Sequence, residues 1–169
     1  HTNTAAAAIT RLEDMGIERY LITSSVNGVL AQRLVRKLCK HCREPVSMSA
    51  EMLSSHGLDR FMQSPEDPIY RAVGCESCKH TGYRGRTGIH ELFVLDTAMY
   101  DAILDGADST TLHATARDSG MYTLFEDGLR KVARGITSIE EVLRVTLDQQ
   151  QQSQEESLSV VDEKLDLAT

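Results

Sequence analysis

Apolar positions along the chain fall into two periods. Behind an alanine run, Ile9, Leu12 and Met15 share one helical face and predict a helix over Thr4 to Met15, with Asn3 as its N-cap and Gly16 as its stop. A second short helix is expected over Tyr20 to Val26, ending at Asn27-Gly28. In Val29 to Leu38, residues Leu30, Leu34, Val35 and Leu38 fit a helical face, yet Gly28 and Cys39 limit the run to strand-like length, so periodicity leaves helix and strand open. Residues 43 to 74 hold Pro45, Pro65, Pro68 and five serines; they read as an excursion with one short helix, Ala50 to Ser55. Residues 81 to 88 read as a glycine-rich turn, and Ile89 to Leu95 alternates as a strand does. From Asp96 onward the period becomes helical: Thr97 to Leu104, Thr110 to Ser119, Leu124 to Arg134 and Ile139 to Thr146, with Gly106, Gly120 and Gly135 at breaks. Ser138 and Glu141 have the spacing of a capping box.

Composition narrows the class. The 169 residues are 41% hydrophobic but only 5% aromatic, without Trp, so a core must come from Leu, Ile, Val, Met and Ala. The length suits one ordinary domain or two small ones. No apolar run nears the ~18 to 20 residues that span a bilayer. The chain opens on His1 without an initiator Met or a signal-peptide pattern, and is expected to be a piece of a longer protein. Its net charge of −7 is uneven: residues 28 to 95 are net basic, whereas 96 to 147 and 148 to 169 are acidic. The last 22 residues, with Gln149 to Gln152 in a row, carry too little apolar surface to offset chain entropy and are expected to be disordered. The fold class implied is helix-rich, α/β to α+β.

All four cysteines stand in two units of one spacing, Cys39-Lys40-His41-Cys42 and Cys75-Glu76-Ser77-Cys78. Two intervening residues let each pair bend into a knuckle that occupies two corners of a tetrahedron, and two knuckles close a four-thiolate zinc site with no open position. Such a site is structural. Lys40, Arg43 and Lys79 offset its negative charge. A redox Cys-x-x-Cys pair, two disulfides and an iron-sulfur cluster are the competing readings. With four thiolates available, His41, His56, His80 and His90 are not needed as ligands. Neither G-x-x-x-x-G-K-[ST] nor G-x-G-x-x-G occurs, and no serine sits in a nucleophile elbow.

Several stretches together resemble one family. They are His1-Thr2-Asn3 before the Ala-rich helix, Arg11-Leu12, Asp14-Met15-Gly16, Ser24-Ser25 and the run Gly28 to Arg36 with Leu38-Cys39. Gly74-Cys75, Cys78, Thr81 to Ile89 and Glu91-Leu92 follow, then Asp127 to Val132, Gly135 and Glu140 to Thr146. They are similar to the second half of the secretion ATPases of the GspE/PilB kind, over residues 1 to about 146. The resemblance implies a hexameric P-loop ATPase, cytoplasmic and peripheral at the bacterial inner membrane, that powers type II secretion or type IV pilus assembly. ATP and Mg2+ would bind the parent only, because the Walker motifs lie upstream, and the fragment alone would be inactive. His1 would be a remnant of the His box, or else a cloning remnant. Gln32 and Arg33 would contact nucleotide or a neighbouring subunit, or simply face solvent.

The same resemblance makes Val29 to Arg36 a strand and divides the chain. Residues 1–38 would end a RecA-like core, 39–78 would be an inserted tetracysteine zinc subdomain with Cys39, Cys42, Cys75 and Cys78 as ligands, and 79–95 would return as the second strand of the hairpin. Residues 96–147 would form a helical C-terminal subdomain and 148–169 an acidic Gln-rich tail. Implied partners are the other subunits of a homohexamer and the inner-membrane platform and ATPase-recruiting proteins; the fragment itself is expected to be a monomer. The rival classes are a zinc-ribbon module binding nucleic acid through Arg33, Arg36, Lys37, Lys40, Lys79, Arg84 and Arg86, and an adaptor recruiting partners through the tail. Scarce aromatics and acidic flanks oppose the first, and no nucleic-acid partner is expected.

Overall fold

The computed structural model describes residues 4–64 and 66–147; His1, Asn3 and the acidic tail lie outside them. Chain order begins with helices α1 (Ala5–Asp14) and α2 (Arg19–Ser25), then strands β1 (Gly28–Leu38) and β2 (Glu44–Val46). Helix α3 (Ala50–Ser55) and strands β3 (Ile69–Arg71) and β4 (Tyr83–Val94) follow. Helices α4 (Thr97–Leu104), α5 (Ser109–Asp118) and α6 (Leu124–Ala133) complete the labelled set, and residues 139–147 are helical as well. The protein is therefore helix-rich, with two small antiparallel sheets, β1–β4 and β2–β3.

Local chemistry sets these boundaries. Thr4, rather than Asn3, caps α1: its hydroxyl accepts from the Ala7 amide at 3.1 Å. Asp96, Asp108 and Thr123 do the same for α4, α5 and α6, and Glu126 completes a capping box on the last. At residues 138–141 only half of the predicted box forms. Ser138 Oγ accepts from the Glu141 amide, but the Glu141 carboxylate turns to Arg36 and Arg144.

The β1–β4 hairpin is the spine. Its register runs from Gly28 opposite Val94 to Leu38 opposite Tyr83, and the ambiguous Val29 to Leu38 run is a strand throughout. The glycine-rich run is strand from Tyr83 onward, not a turn. Its glycines serve close approach: Gly85, at φ +76°, lies in a bulge opposite Lys37, and a Cβ on Gly88 would stand 2.7 Å from the His90 ring. The strand pair β2–β3 was not foreseen, because its three-residue strands include Pro45.

Three buried clusters hold the elements together. Ala5, Ala6, Ile9 and Ile22 meet Phe93, Met99, Ile103 and Leu112, packing α1, α2, α4 and α5 on the hairpin's inner face. Val35, Ile89 and Leu124 join α6 to the hairpin's middle. In the third, Leu53, Leu58 and Ile69 of the excursion are buried with Leu129, Val132, Ile139 and Val142. The excursion thus shares a core with α6 and the last helix.

Candidate metal centre

The hairpin ends deliver the cysteines. Cys39 follows β1 directly, and its amide donates to the Gly82 carbonyl at 2.9 Å, holding the first knuckle against the root of β4. Amides of Cys42 and Arg43 fold back on the Cys39 carbonyl at 3.3 and 2.9 Å. The second knuckle is a single 3-10 turn, Glu76–Cys78, after which Lys79 and His80 adopt left-handed φ of 54° and 60°. Two successive non-glycine residues in that region are unusual, and they aim the His80 and Thr81 amides at the Cys75 and Cys78 carbonyls. Gly74 and Gly82 flank the turn at φ +123° and +76°, where a Cβ would approach the His80 carbonyl and Ala72 at 2.7 and 2.6 Å.

The result is a compact set of sulfurs. Cys39 and Cys75 Sγ are 3.9 Å apart, while the pairs Cys42–Cys78 and Cys75–Cys78 are 3.8 Å apart. All four lie within 4.8 Å of one another, and among the described residues no histidine or carboxylate joins the group. A disulfide needs sulfurs about 2.05 Å apart, and all four thiols are free. Four sulfurs each about 2.3 Å from a common centre stand about 3.8 Å apart along a tetrahedron's edges, so the donor set fits a zinc ion in identity and spacing.

Backbone amides also suit the site to thiolates. Cys78 Sγ accepts from the Cys75 and Gly82 amides, both at 3.2 Å, and Cys42 Sγ accepts from Gly74 at 3.3 Å. Burial raises the Cys78 pKa, but those amides and the neighbouring thiols outweigh it and bring it down to about 6. For Cys42, burial and the adjacent sulfurs prevail over the Gly74 amide and push the thiol up to about 12. The amides thus favour the thiolate at Cys78, while the crowding of sulfurs opposes a further negative charge at Cys42.

Two buried carboxylates fasten the site to the helices, and the sequence pattern had not marked them as such. Glu141 is 1% exposed and accepts from the Arg36 amide at 3.0 Å, the Arg36 guanidinium at 2.6 Å and Arg144 at 2.7 Å. Burial raises its pKa, but the arginines carry it down to about 2. Alongside, Arg36 covers the Tyr83 ring at 4.2 Å and the Tyr83 hydroxyl meets Ser138 at 2.8 Å. Glu126 bridges Arg60 of the excursion, at 3.2 Å, and Arg117 of α5, at 2.5 Å. Burial opposes its ionisation, yet the Thr123 amide and Arg117 hold its pKa below the ordinary value.

Among the other residues singled out by sequence, Gln32 is exposed on β1 opposite His90 and Arg33 is half-buried on the other face. Neither belongs to the cysteine cluster.

The class defined by this arrangement is a two-strand spine closed by a tetracysteine clasp and buttressed by helices. Residues 1–144 match the family described as type II/IV secretion system protein, and the chain belongs to that family. It is 49% identical over 146 residues to the type II secretion system protein E of Aeromonas hydrophila, covering 86% of this chain and 28% of that protein. It is likewise 49% identical over 148 residues to the type II secretion system ATPase E of Vibrio cholerae, covering 86% and 28%. With the type IV pilus assembly ATPase PilB of Thermus thermophilus, identity is 47% over 148 residues, covering 88% and 16%. The chain spans less than a third of the length of each of these relatives.

Proposed function

We propose that this chain is the C-terminal, zinc-holding part of a hexameric secretion-superfamily ATPase that powers type II protein secretion or type IV pilus assembly at the cytoplasmic face of the bacterial inner membrane. Its role there is structural and mechanical. Residues 1–38 and the returning strand 79–95 belong to the end of a RecA-like core, residues 39–78 are the metal-bearing insertion, and residues 96–147 are a helical subdomain. ATP and Mg2+ act on the parent through its upstream motifs, and His1 belongs to that nucleotide site.

The observation that carries the reading is the cysteine tetrad at the hairpin tip, within a chain that matches the secretion family over residues 1–144. Cys39, Cys42, Cys75 and Cys78 would hold the ion, whose chemistry is four strong bonds that replace hydrophobic burial in a subdomain short of it. The hairpin's other features support a place within a larger sheet. Leu30, Leu34, Leu92 and Val94 are each more than half exposed on one face. On the β4 edge the His90 amide is taken by Asp127 and the Val94 carbonyl by Asp96, and on the β1 edge Arg36 and Leu38 are met by residues 136–141.

Force would pass through the clasp into the helices, because the excursion shares one buried cluster with α6 and the last helix. The partners of that motion are the other subunits and the inner-membrane platform and ATPase-recruiting proteins. Close to the knuckles, base stacking, on which the nucleic-acid reading relies, meets rings that are already engaged: Arg43 and Arg36 cover Tyr70 and Tyr83. Replacing Cys75 and Cys78 by Ser in the full-length parent is expected to abolish transport while ATP binding persists. Transport undiminished by that pair of substitutions would overturn the mechanical role.

A further inference from the structure

Strand β4 alternates between buried and exposed residues, and one of the buried ones is an acid. Ile89, Glu91 and Phe93 are buried, while His90, Leu92 and Val94 are exposed. Glu91 is 2% exposed, lies between two fully buried side chains, and stands opposite Ala31 in the register. A carboxylate on an apolar face gives up its water and has to regain polar partners from the protein. A methionine or leucine of similar volume would fill the position without that cost. Neither the metal centre nor the packing of the hairpin accounts for an acid here.

Its partner is the start of α1. Glu91 Oε1 accepts from the Ala5 amide at 2.8 Å, across 86 residues of sequence, and the bond is itself buried. Thr4 covers the Ala7 amide at 3.1 Å, so two of the amides that open the helix are satisfied, one by a neighbour and one by the strand. The first turn of α1 contains no acid of its own, and Glu91 supplies the negative charge that the positive end of this ten-residue helix favours. Ala5 and Ala6 are small enough to bring the helix backbone against the strand, and they pack in one cluster with Phe93. A directional bond as well as packing therefore fixes the helix start on β4. His1 precedes Thr4 by three residues.

We propose that Glu91 is a positioning residue for ATP hydrolysis in the parent: by holding the first turn of α1 on β4, it sets where the segment entering that helix lies. The inference rests on the ATPase reading, in which His1 belongs to the nucleotide site and the upstream motifs bind ATP and Mg2+. Glu91 touches no reacting atom. It acts through α1, so its loss displaces the entering segment while the nucleotide stays bound, and displacements on the order of 1 Å at a reacting centre lower kcat by up to about a hundredfold.

The full-length parent carrying E91M, E91Q or H1A provides the test. The readouts are kcat and KM for ATP hydrolysis, affinity for a fluorescent non-hydrolysable ATP analogue, and amide exchange at residues 5–8. E91M keeps the volume and removes the acceptor, whereas E91Q keeps an acceptor oxygen and removes the charge. E91M is expected to lower kcat by at least about tenfold, with KM and analogue affinity held within about twofold. It is also expected to speed exchange at residues 5–8 by at least about tenfold while α6 stays protected. E91Q is expected to recover part of both losses. E91M combined with H1A should be no slower than H1A alone, as two residues acting in series require. If H1A slows hydrolysis but E91M does not, if the two losses multiply, or if E91M weakens analogue binding as much as it lowers kcat, the proposal is overturned and the ATPase reading stands. If H1A leaves kcat unchanged, that reading fails and the proposal fails with it.

Discussion

Replacing Glu141 by Gln probes the joint that fixes the last helix to the hairpin. The carboxylate is buried and receives the Arg36 amide, the Arg36 guanidinium and Arg144. Its pKa falls from 4.5 to about 2; at about 1.4 kcal/mol per unit this corresponds to roughly 3 kcal/mol of folding free energy. The arginines are about half exposed, with side-chain exposures of 43% and 53%, and regain water when the carboxylate is lost. A net loss of about 2 to 3 kcal/mol at pH 7 is therefore expected for E141Q. The sign fixes the pH dependence. A carboxylate whose folded pKa is depressed contributes fully above its unfolded pKa near 4.5, and the contribution fades as pH falls through about 2. Urea unfolding of wild type and E141Q, compared at each pH so that proton competition for the cysteines cancels, should show a gap that is constant from pH 7 to 5 and narrows steadily below pH 4. A gap under 0.5 kcal/mol at pH 7, or one that persists undiminished to pH 2.5, would refute the reasoning.

Other perturbations address the shared core. A Cβ at Gly128 would collide with Val142 Cγ1, so G128A should destabilise by about 1 to 3 kcal/mol despite better helix propensity, and V142A in the same chain should recover part of the loss in a double-mutant cycle. Leu58 is fully buried in the excursion; L58A should cost about 2 to 4 kcal/mol and accelerate amide exchange in α6 as well as α3, because both draw on one cluster. Protection lost in α3 alone would mean that the excursion is a separate unit. Single-stranded oligonucleotides should show no salt-sensitive binding at 150 mM salt in fluorescence anisotropy; tight binding that falls steeply with salt would favour the nucleic-acid class.

What the sequence revealed follows from where information is local. Helices α4, α5 and α6 combine a clear period with breaks at Gly106, Gly120 and Gly135, so their ends were readable to within a residue, and the structure adds the caps at Asp96, Asp108 and Thr123. The four cysteines were readable as a group because their spacing is chemical rather than conformational, and the structure brings them together. Long-range partners were not. Leu53, Leu58 and Ile69 look like isolated apolar residues among serines and prolines until α6 and the last helix cover them. Glu141 read only as half of a capping box, and nothing local marks Glu126 or Glu91 as buried; each is buried because an arginine or a helix N-terminus approaches from 9 to 105 residues away. Residues 81–88 misled for the opposite reason, since their glycines permit a bulge and close contacts within a strand rather than a reversal of the chain.

Metal content per chain, measured by mass spectrometry together with the number of thiols that react before and after chelation, tests the central claim most directly. The account predicts one zinc per chain, protected thiols in the intact protein and four reactive thiols once the metal is removed, with loss of amide protection at the hairpin tip. A metal-free chain with four reactive thiols and an unchanged, cooperatively folded tip would contradict it.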